Sequence, residues 1–92
     1  MIRSFRDRRT AGFAAGKRIK ESQAIERQAQ RRLRILNDAV RIEDLMGLPS
    51  NHFEALAGDR GGQFSIRIND QWRVCFTFAD GDAHDVEITD YH

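Results

Sequence analysis

The sequence predicts a small α+β domain, in which an N-terminal strand and two helices pack on one face of a small antiparallel sheet. Two observations carry this prediction. Apolar residues recur every three or four positions in the N-terminal half and every second position in the C-terminal half. The later stretches also follow one another too closely for crossover helices. With 92 residues, the chain is expected to form one domain over residues 1–92.

The N-terminal half predicts a strand and two helices. Met1–Phe5 is a short strand candidate, and Asp7 suits the N-cap of a helix that runs to Ala15 and ends at Gly16. A second, amphipathic helix is predicted to begin at Ser22. Its apolar stripe consists of Ile25, Ala29, Leu33, Leu36 and Val40.

Three stretches of the C-terminal half alternate with the period of a strand. Side-chain parity then constrains the turns, because a slip of one residue would turn a whole strand over. A two-residue loop at Asp80-Gly81 would set Val74 against the charged Glu87, whereas a loop centred on Gly81 pairs Val74 with Ile88. The sequence therefore predicts an odd-numbered loop at this turn.

The same parity argument places two arginines opposite each other. A turn centred on Asp70 sets Arg67 against Arg73 on the face away from the helices, with Tyr91 diagonal to Arg73. Like charges in this arrangement destabilise a sheet unless something neutralises them. Two explanations stay open: a salt bridge from Glu87, or a phosphate bound between the forked guanidinium groups.

Charge is divided unevenly along the chain. Residues 1–41 hold 12 Lys and Arg against 4 Asp and Glu, whereas residues 42–92 hold 3 against 10. A basic half is typical of proteins that bind a phosphate backbone. Four arginines are predicted to form a line on the second helix, although Glu26 and Asp38 would also suit an ordinary solvated face. They are Arg27, Arg31, Arg34 and Arg41.

The C-terminal triplet holds groups suited to acid–base chemistry. Cleavage of RNA by its own 2′-hydroxyl needs that oxygen deprotonated, the leaving 5′-oxygen protonated and the charge on phosphorus stabilised. His92 can exchange protons near neutral pH, Asp90 could orient it, and Tyr91 could stack on a base or relay a proton. Arg73, with Arg67 behind it, could stabilise the charge. By composition alone, a terminal histidine is more often simply solvated.

Other chemistries find less support in the sequence. The single Cys75 excludes an internal disulfide and is predicted to have no histidine beside it, as a cysteine nucleophile would need. The histidines are too scattered for a zinc site, and no glycine-rich loop precedes a helix. Because there is no apolar run long enough for a signal peptide or a membrane span, a cytoplasmic protein without a membrane or small-molecule cofactor is expected.

Three stretches resemble a known family: Gly-Asp-Arg at 58–60, the nine residues 65–73, and Val-Glu-Ile-Thr-Asp-Tyr-His at 86–92. They are similar to the HigB group of RelE-superfamily toxins from about Phe53 onward. The resemblance implies ribosome-dependent, metal-free cleavage of mRNA in the A site and a HigA-like helix-turn-helix antitoxin as partner. It also implies catalytic roles for Arg73, Asp90, Tyr91 and His92, and a basic helix that faces ribosomal RNA.

The match departs from the family at two positions. Relatives can carry a histidine where this chain has Glu54 and a lysine where it has Ala57, so two groups for phosphate or proton transfer are missing. His52 is a candidate replacement, and Arg60, Arg67 and His52 are predicted to bind RNA phosphate. Two alternatives remain: a ParE-like poison of DNA gyrase and a non-catalytic RNA-binding module.

Overall fold

The computed structural model describes residues 1–17 and 25–90. These residues form a four-stranded antiparallel sheet in the order β1-β2-β3-β4, with the helices packed on one face, as predicted. The helices are α1 (Arg8–Ala14), α2 (Glu26–Asp38) and α3 (Ile42–Met46). The strands are β1 (Glu54–Ala55), β2 (Phe64–Arg67), β3 (Trp72–Ala79) and β4 (Asp82–Asp90), and 3₁₀ turns cover Pro49–Asn51 and Gly58–Arg60. The sequence did not predict α3 or β1.

The predicted ends of α1 are confirmed. Asp7 is the N-cap, and its carboxylate accepts a hydrogen bond of 2.8 Å from the backbone N–H of Thr10. Beyond the helix, Gly16 has a φ of 96°, a conformation that glycine adopts without steric cost. The buried hydroxyl of Thr10 accepts a hydrogen bond from the backbone N–H of Ile88, which ties α1 to β4.

The apolar stripe of α2 is confirmed at four of its five positions. Val40, however, is 67% exposed, so the prediction was wrong there. The helix ends at Asp38, and Ala39 has extended backbone and takes the buried place that follows. The predicted cap Ser22 lies outside the described residues. The four buried positions are Ile25, Ala29, Leu33 and Leu36.

The early end of α2 also corrects the predicted line of arginines. Arg41 is not on α2; it is the N-cap of the short helix α3. The backbone N–H groups of Val40 and Arg41 both donate to the Asp44 carboxylate, at 3.0 and 3.1 Å. These hydrogen bonds lower the pKa of Asp44 and fix the corner between α2 and α3.

The turn between β3 and β4 is also a correction. It is the two-residue loop Asp80-Gly81, flanked by the pair Ala79 and Asp82. Both loop residues have positive φ, 54° and 81°, as the favoured hairpin turn requires. Parity is restored by a bulge farther along β4, where Asp85 has a φ of 53°.

Because of this bulge, the apolar residues of β3 and β4 still pair with each other, as predicted from side-chain parity. Asp85 and Val86 together lie opposite Phe76, and beyond them Val74 pairs with Ile88 as predicted. The N-terminal segment adds to the same edge, since Ile2 and Phe5 form isolated parallel bridges with Ala83 and Val86. The predicted N-terminal strand is thus an interrupted ladder parallel to β4.

The core lies between the helices and one face of the sheet. Phe13 of α1 and the α2 stripe pack against the apolar side of β2, β3 and β4. Among the described residues, no helix is long and apolar enough to cross a membrane. The fully buried strand residues of this core include Ile66, Val74, Phe76, Val86 and Ile88.

Candidate active site

The face of the sheet away from the helices carries two rows of polar residues. The first row confirms the predicted pair of Arg67 and Arg73, and Thr89 lies next to Arg73 on β4. The second row runs across all four strands. It consists of Glu54, Ser65, Cys75 and Glu87. We call the guanidinium groups on this face, those of Arg60, Arg67 and Arg73, the arginine cluster.

Arg73 is the most enclosed member of the arginine cluster, with a side chain 11% exposed. Its Nε donates to the buried Ser65 hydroxyl at 2.8 Å, and one terminal nitrogen donates to the His52 carbonyl at 2.5 Å. The Glu54 carboxylate is 4.0 Å from the other terminal nitrogen. Since a guanidinium has five N–H donors, Arg73 is held firmly while keeping donors beyond these two hydrogen bonds.

Arg67 reaches the same histidine from the neighbouring strand. Its guanidinium forms an ion pair with Asp70 and lies 3.4 Å from Nε2 of the His52 ring. An arginine only donates, so this contact is a hydrogen bond when Nε2 is the acceptor. Arg67 and Arg73 therefore converge on His52, one on its ring and the other on its carbonyl.

Arg60 completes the arginine cluster from the 3₁₀ turn before β2. It donates to the Glu87 carboxylate at 3.2 Å and to the Gln63 side chain at 3.2 Å. One of the two explanations left open by the sequence was that Glu87 would neutralise Arg67 and Arg73. The structure instead pairs Glu87 with Arg60, because Glu87 lies in the second row, opposite Cys75.

His52 has an unusual backbone conformation. It follows the 3₁₀ turn Pro49–Asn51, and its φ of 43° and ψ of 53° are left-handed. Non-glycine residues adopt this region rarely, because Cβ comes close to the next carbonyl oxygen. The conformation brings the ring and the carbonyl of one exposed residue to two different arginines.

Each arginine of the cluster thus has its own carboxylate. Two of these carboxylates are well exposed: the side chains of Asp70 and Glu54 are 95% and 54% exposed. Exposed ion pairs contribute only about 0 to 1 kcal/mol each. An incoming phosphate could displace these two side chains at little cost, since guanidinium forks bind phosphate in bidentate fashion.

Of the predicted C-terminal triplet, only Asp90 is described. It pairs with Trp72 across the sheet, and its carboxylate accepts a hydrogen bond of 3.0 Å from the Gln71 side chain. Tyr91 and His92 lie outside the described residues. Thr89 of β4 pairs with Arg73, so the described end of β4 runs beside Arg73.

The family is shown by comparison with known proteins. Residues 3–92 match the model of a family described as the RelE-like toxin HigB of type II toxin–antitoxin systems. The chain belongs to this family.

Two curated relatives carry related names. Toxin HigB-1 of Vibrio cholerae serotype O1 is 43% identical over 60 residues, which are 65% of this chain and 63% of the relative. Endoribonuclease HigB of Proteus vulgaris is 46% identical over 37 residues, 40% of each chain. The matched segments thus span less than two thirds of either relative.

Solved structures support the fold of this HigB-family chain. Two YoeB-YefM toxin–antitoxin complexes from Staphylococcus aureus each contain a chain of similar fold. The superposition covers 100% of the HigB-family chain and 98% of the chain in the complex. The TM-score is 0.63 in both cases, at 14% and 16% identity. At this identity the likeness concerns the fold alone.

Cys75 lies beneath the arginine cluster of this family member but is fully buried. Burial raises the pKa of its thiol and outweighs the opposing effect of Arg60 and Arg73. A buried thiol with a raised pKa is a poor nucleophile. This agrees with the sequence analysis, which found little support for a cysteine nucleophile. Within residues 1–17 and 25–90, no three His, Cys, Asp or Glu side chains are grouped to hold a metal ion.

Three arginines of the predicted line are confirmed on the exposed side of α2. Arg27, Arg31 and Arg34, together with Gln30, line a shallow groove of about 360 Å³. This basic groove lies on a helix that packs against the apolar face of the sheet, so it is separate from the arginine cluster.

Sequence reasoning missed the groups that hold Arg73. Ser65 has the same parity as Arg67 and sits one row away, so the strand period could have found it. The contact with the His52 carbonyl had no signal in the sequence, because it depends on a left-handed residue in a loop.

We expect Glu54→Gln to strengthen phosphate binding at the arginine cluster. The change removes a negative charge 4.0 Å from the Arg73 guanidinium and keeps the size of the side chain. Because Glu54 is half exposed, the gain should stay within the range of surface ion pairs, a Kd lowered by up to about fivefold. The Kd for a short RNA oligonucleotide at low salt measures it. The matched change Glu43→Gln on exposed α3 should leave this Kd unaltered, and an unchanged Kd in Glu54→Gln would contradict the prediction.

Proposed function

We propose that this HigB-family chain is the toxin of a toxin–antitoxin pair and acts as a ribosome-dependent, metal-independent endoribonuclease in the cytoplasm. It cleaves mRNA in the A site, stops translation and is neutralised by a HigA-like helix-turn-helix antitoxin. The observation that carries this proposal is the convergence of Arg67 and Arg73 on His52 on an open face of the sheet. The name of the Proteus vulgaris relative supports the same activity.

The arginine cluster is proposed to hold the scissile phosphate. Arg73 is pre-oriented by Ser65 and His52, so its remaining donors need little reorganisation to stabilise the charge that develops on phosphorus. Arg67 binds a neighbouring phosphate oxygen after its exposed partner Asp70 moves aside, and Arg60 is proposed to contribute a further donor while it stays paired with Glu87. His52 is proposed to contact the RNA beside them.

Proton transfer is assigned to the C-terminal triplet. One group takes the proton of the 2′-hydroxyl as it attacks phosphorus, and another protonates the leaving 5′-oxygen. His92 is the proposed principal acid or base, Tyr91 is proposed to stack on a base or relay a proton, and Asp90 is proposed to orient His92. The step needs no metal ion, because the arginine cluster supplies the positive charge.

The basic groove on α2 is proposed to contact ribosomal RNA. Three guanidinium groups around one groove suit a phosphate backbone, and such binding weakens steeply with salt. This groove also favours the second candidate function, a non-catalytic RNA-binding module. Such a module would bind ribosomes without producing new mRNA ends.

The deciding experiment is primer extension on programmed ribosomes in the presence of EDTA at a free magnesium level that keeps ribosomes intact. The unmutated protein should produce new mRNA ends in the A-site codon. His92→Gln should slow cleavage by about 10²- to 10⁴-fold, the usual contribution of an acid–base group. His84→Gln, near the other end of β4, is the matched control and should cleave normally. Absence of new ends with the unmutated protein would refute the nuclease.

A further inference from the structure

A polar network connects α2 to the loop before β1. Arg32 extends from α2, and one of its terminal nitrogens donates to the Asn51 side-chain oxygen at 2.9 Å and to the Ser50 hydroxyl at 3.4 Å. The Asn51 amide in turn donates to the Leu45 carbonyl at 3.0 Å. The network thus joins α2, α3 and the 3₁₀ turn Pro49–Asn51.

This network is buried at Asn51 although it is polar. Asn51 is completely buried, whereas Arg32 is partly buried and Ser50 is exposed. Burial lowers the pKa of Arg32, with a smaller effect from the adjacent Arg31. Arg32 Nε is buried and has no hydrogen-bond partner among the described residues. Burying an amide and part of a guanidinium is costly, so the contact needs a reason beyond packing.

The residue that follows Asn51 provides that reason. His52 adopts the left-handed conformation that brings its carbonyl to Arg73 and its ring to Arg67. A non-glycine residue keeps such a conformation only where its surroundings impose it. The only neighbour with a fully buried side chain in this turn is Asn51, which Arg32 and Leu45 hold from both sides.

We propose that Arg32 and Asn51 are positioning residues, which hold His52 in its left-handed conformation and thereby set the guanidinium groups of Arg73 and Arg67. Both residues are proposed to act through His52 rather than by contact with the RNA. The expected effect on catalysis rests on the proposed nuclease function. The positioning of Arg73, in contrast, can be measured without any substrate.

The test is Asn51→Ala in the full chain, read first by NMR. The Arg73 Nη2–H, which donates to the His52 carbonyl, should exchange with solvent at least about tenfold faster than in the unmutated protein, since this hydrogen bond is lost when the His52 backbone changes conformation. Asn37→Ala is the matched control: its side chain caps the backbone N–H of Ile2, far from Arg73, and exchange should not change.

The second reading is cleavage on programmed ribosomes. Misplaced guanidinium groups should lower kcat by about 10- to 100-fold in Asn51→Ala with KM changed less than about threefold. In an Arg73→Lys background the same change should add little, because both act through one group. Arg32→Met should behave like Asn51→Ala, and it replaces that variant if Asn51→Ala does not fold.

Unchanged Arg73 Nη2–H exchange in a folded Asn51→Ala or Arg32→Met variant would overturn the proposal. Additive losses of kcat with Arg73→Lys would overturn it too. If the unmutated protein does not cleave RNA, the proposed nuclease fails, while the exchange measurement still decides whether these residues position Arg73.

Discussion

Replacing Arg73 by alanine is expected to abolish RNA cleavage, with kcat lowered by about 10²- to 10³-fold. This is the effect of removing one pre-oriented donor that stabilises developing negative charge. In this chain the loss should be at the upper end of that range, because the family resemblance implies that basic groups can stand at the positions of Glu54 and Ala57, and neither residue here is basic. Arg73→Lys should retain part of the activity, since a lysine supplies charge without the forked donors.

The cleavage assay needs a control for folding. Arg73→Ala leaves the buried Ser65 hydroxyl and the His52 carbonyl without their donor, which should lower the free energy of unfolding by about 1–3 kcal/mol. Rates are therefore compared at a temperature where circular dichroism shows both proteins folded. Arg3→Ala, which breaks an exposed ion pair with Asp82 near the start of β4, should cleave normally. Cleavage by Arg73→Ala within threefold of the unmutated rate would contradict the assignment.

The second large effect concerns stability. Leu36→Ala should lower the free energy of unfolding by about 2–5 kcal/mol, because Leu36 is fully buried between α2 and the sheet and a cavity would remain. That is a large part of the 5–15 kcal/mol typical of a domain. Urea unfolding followed by circular dichroism measures the change.

Val40→Ala is the matched control for Leu36. Both residues belong to the stripe that the sequence predicted, but Val40 is 67% exposed. Its truncation should change the free energy of unfolding by no more than about 0.5 kcal/mol. Equal losses in the two variants would mean that α2 continues to Val40 and that its end at Asp38 is wrong.

The sequence predicted most of the site residues that lie on the strands of the sheet. Strand parity alone placed Arg67 opposite Arg73, because apolar faces must coincide and one face was clearly apolar. The same argument correctly paired Val74 with Ile88 but reached this pair through the wrong turn. Parity counts residues between strands, and it cannot distinguish an odd loop from a two-residue loop followed by a bulge.

What the sequence determined by itself is therefore periodic: the α+β class, the stripe of α2 as far as Leu36, and the faces of the strands. Only the tertiary structure decided the conformation of single loop residues and the contacts that they make with distant parts of the chain. The left-handed His52 and the pairing of Arg60 with Glu87 both lie in loops or turns and involve contacts between residues far apart in the chain. Neither leaves a period in the sequence, because the residues that meet are not spaced at regular intervals.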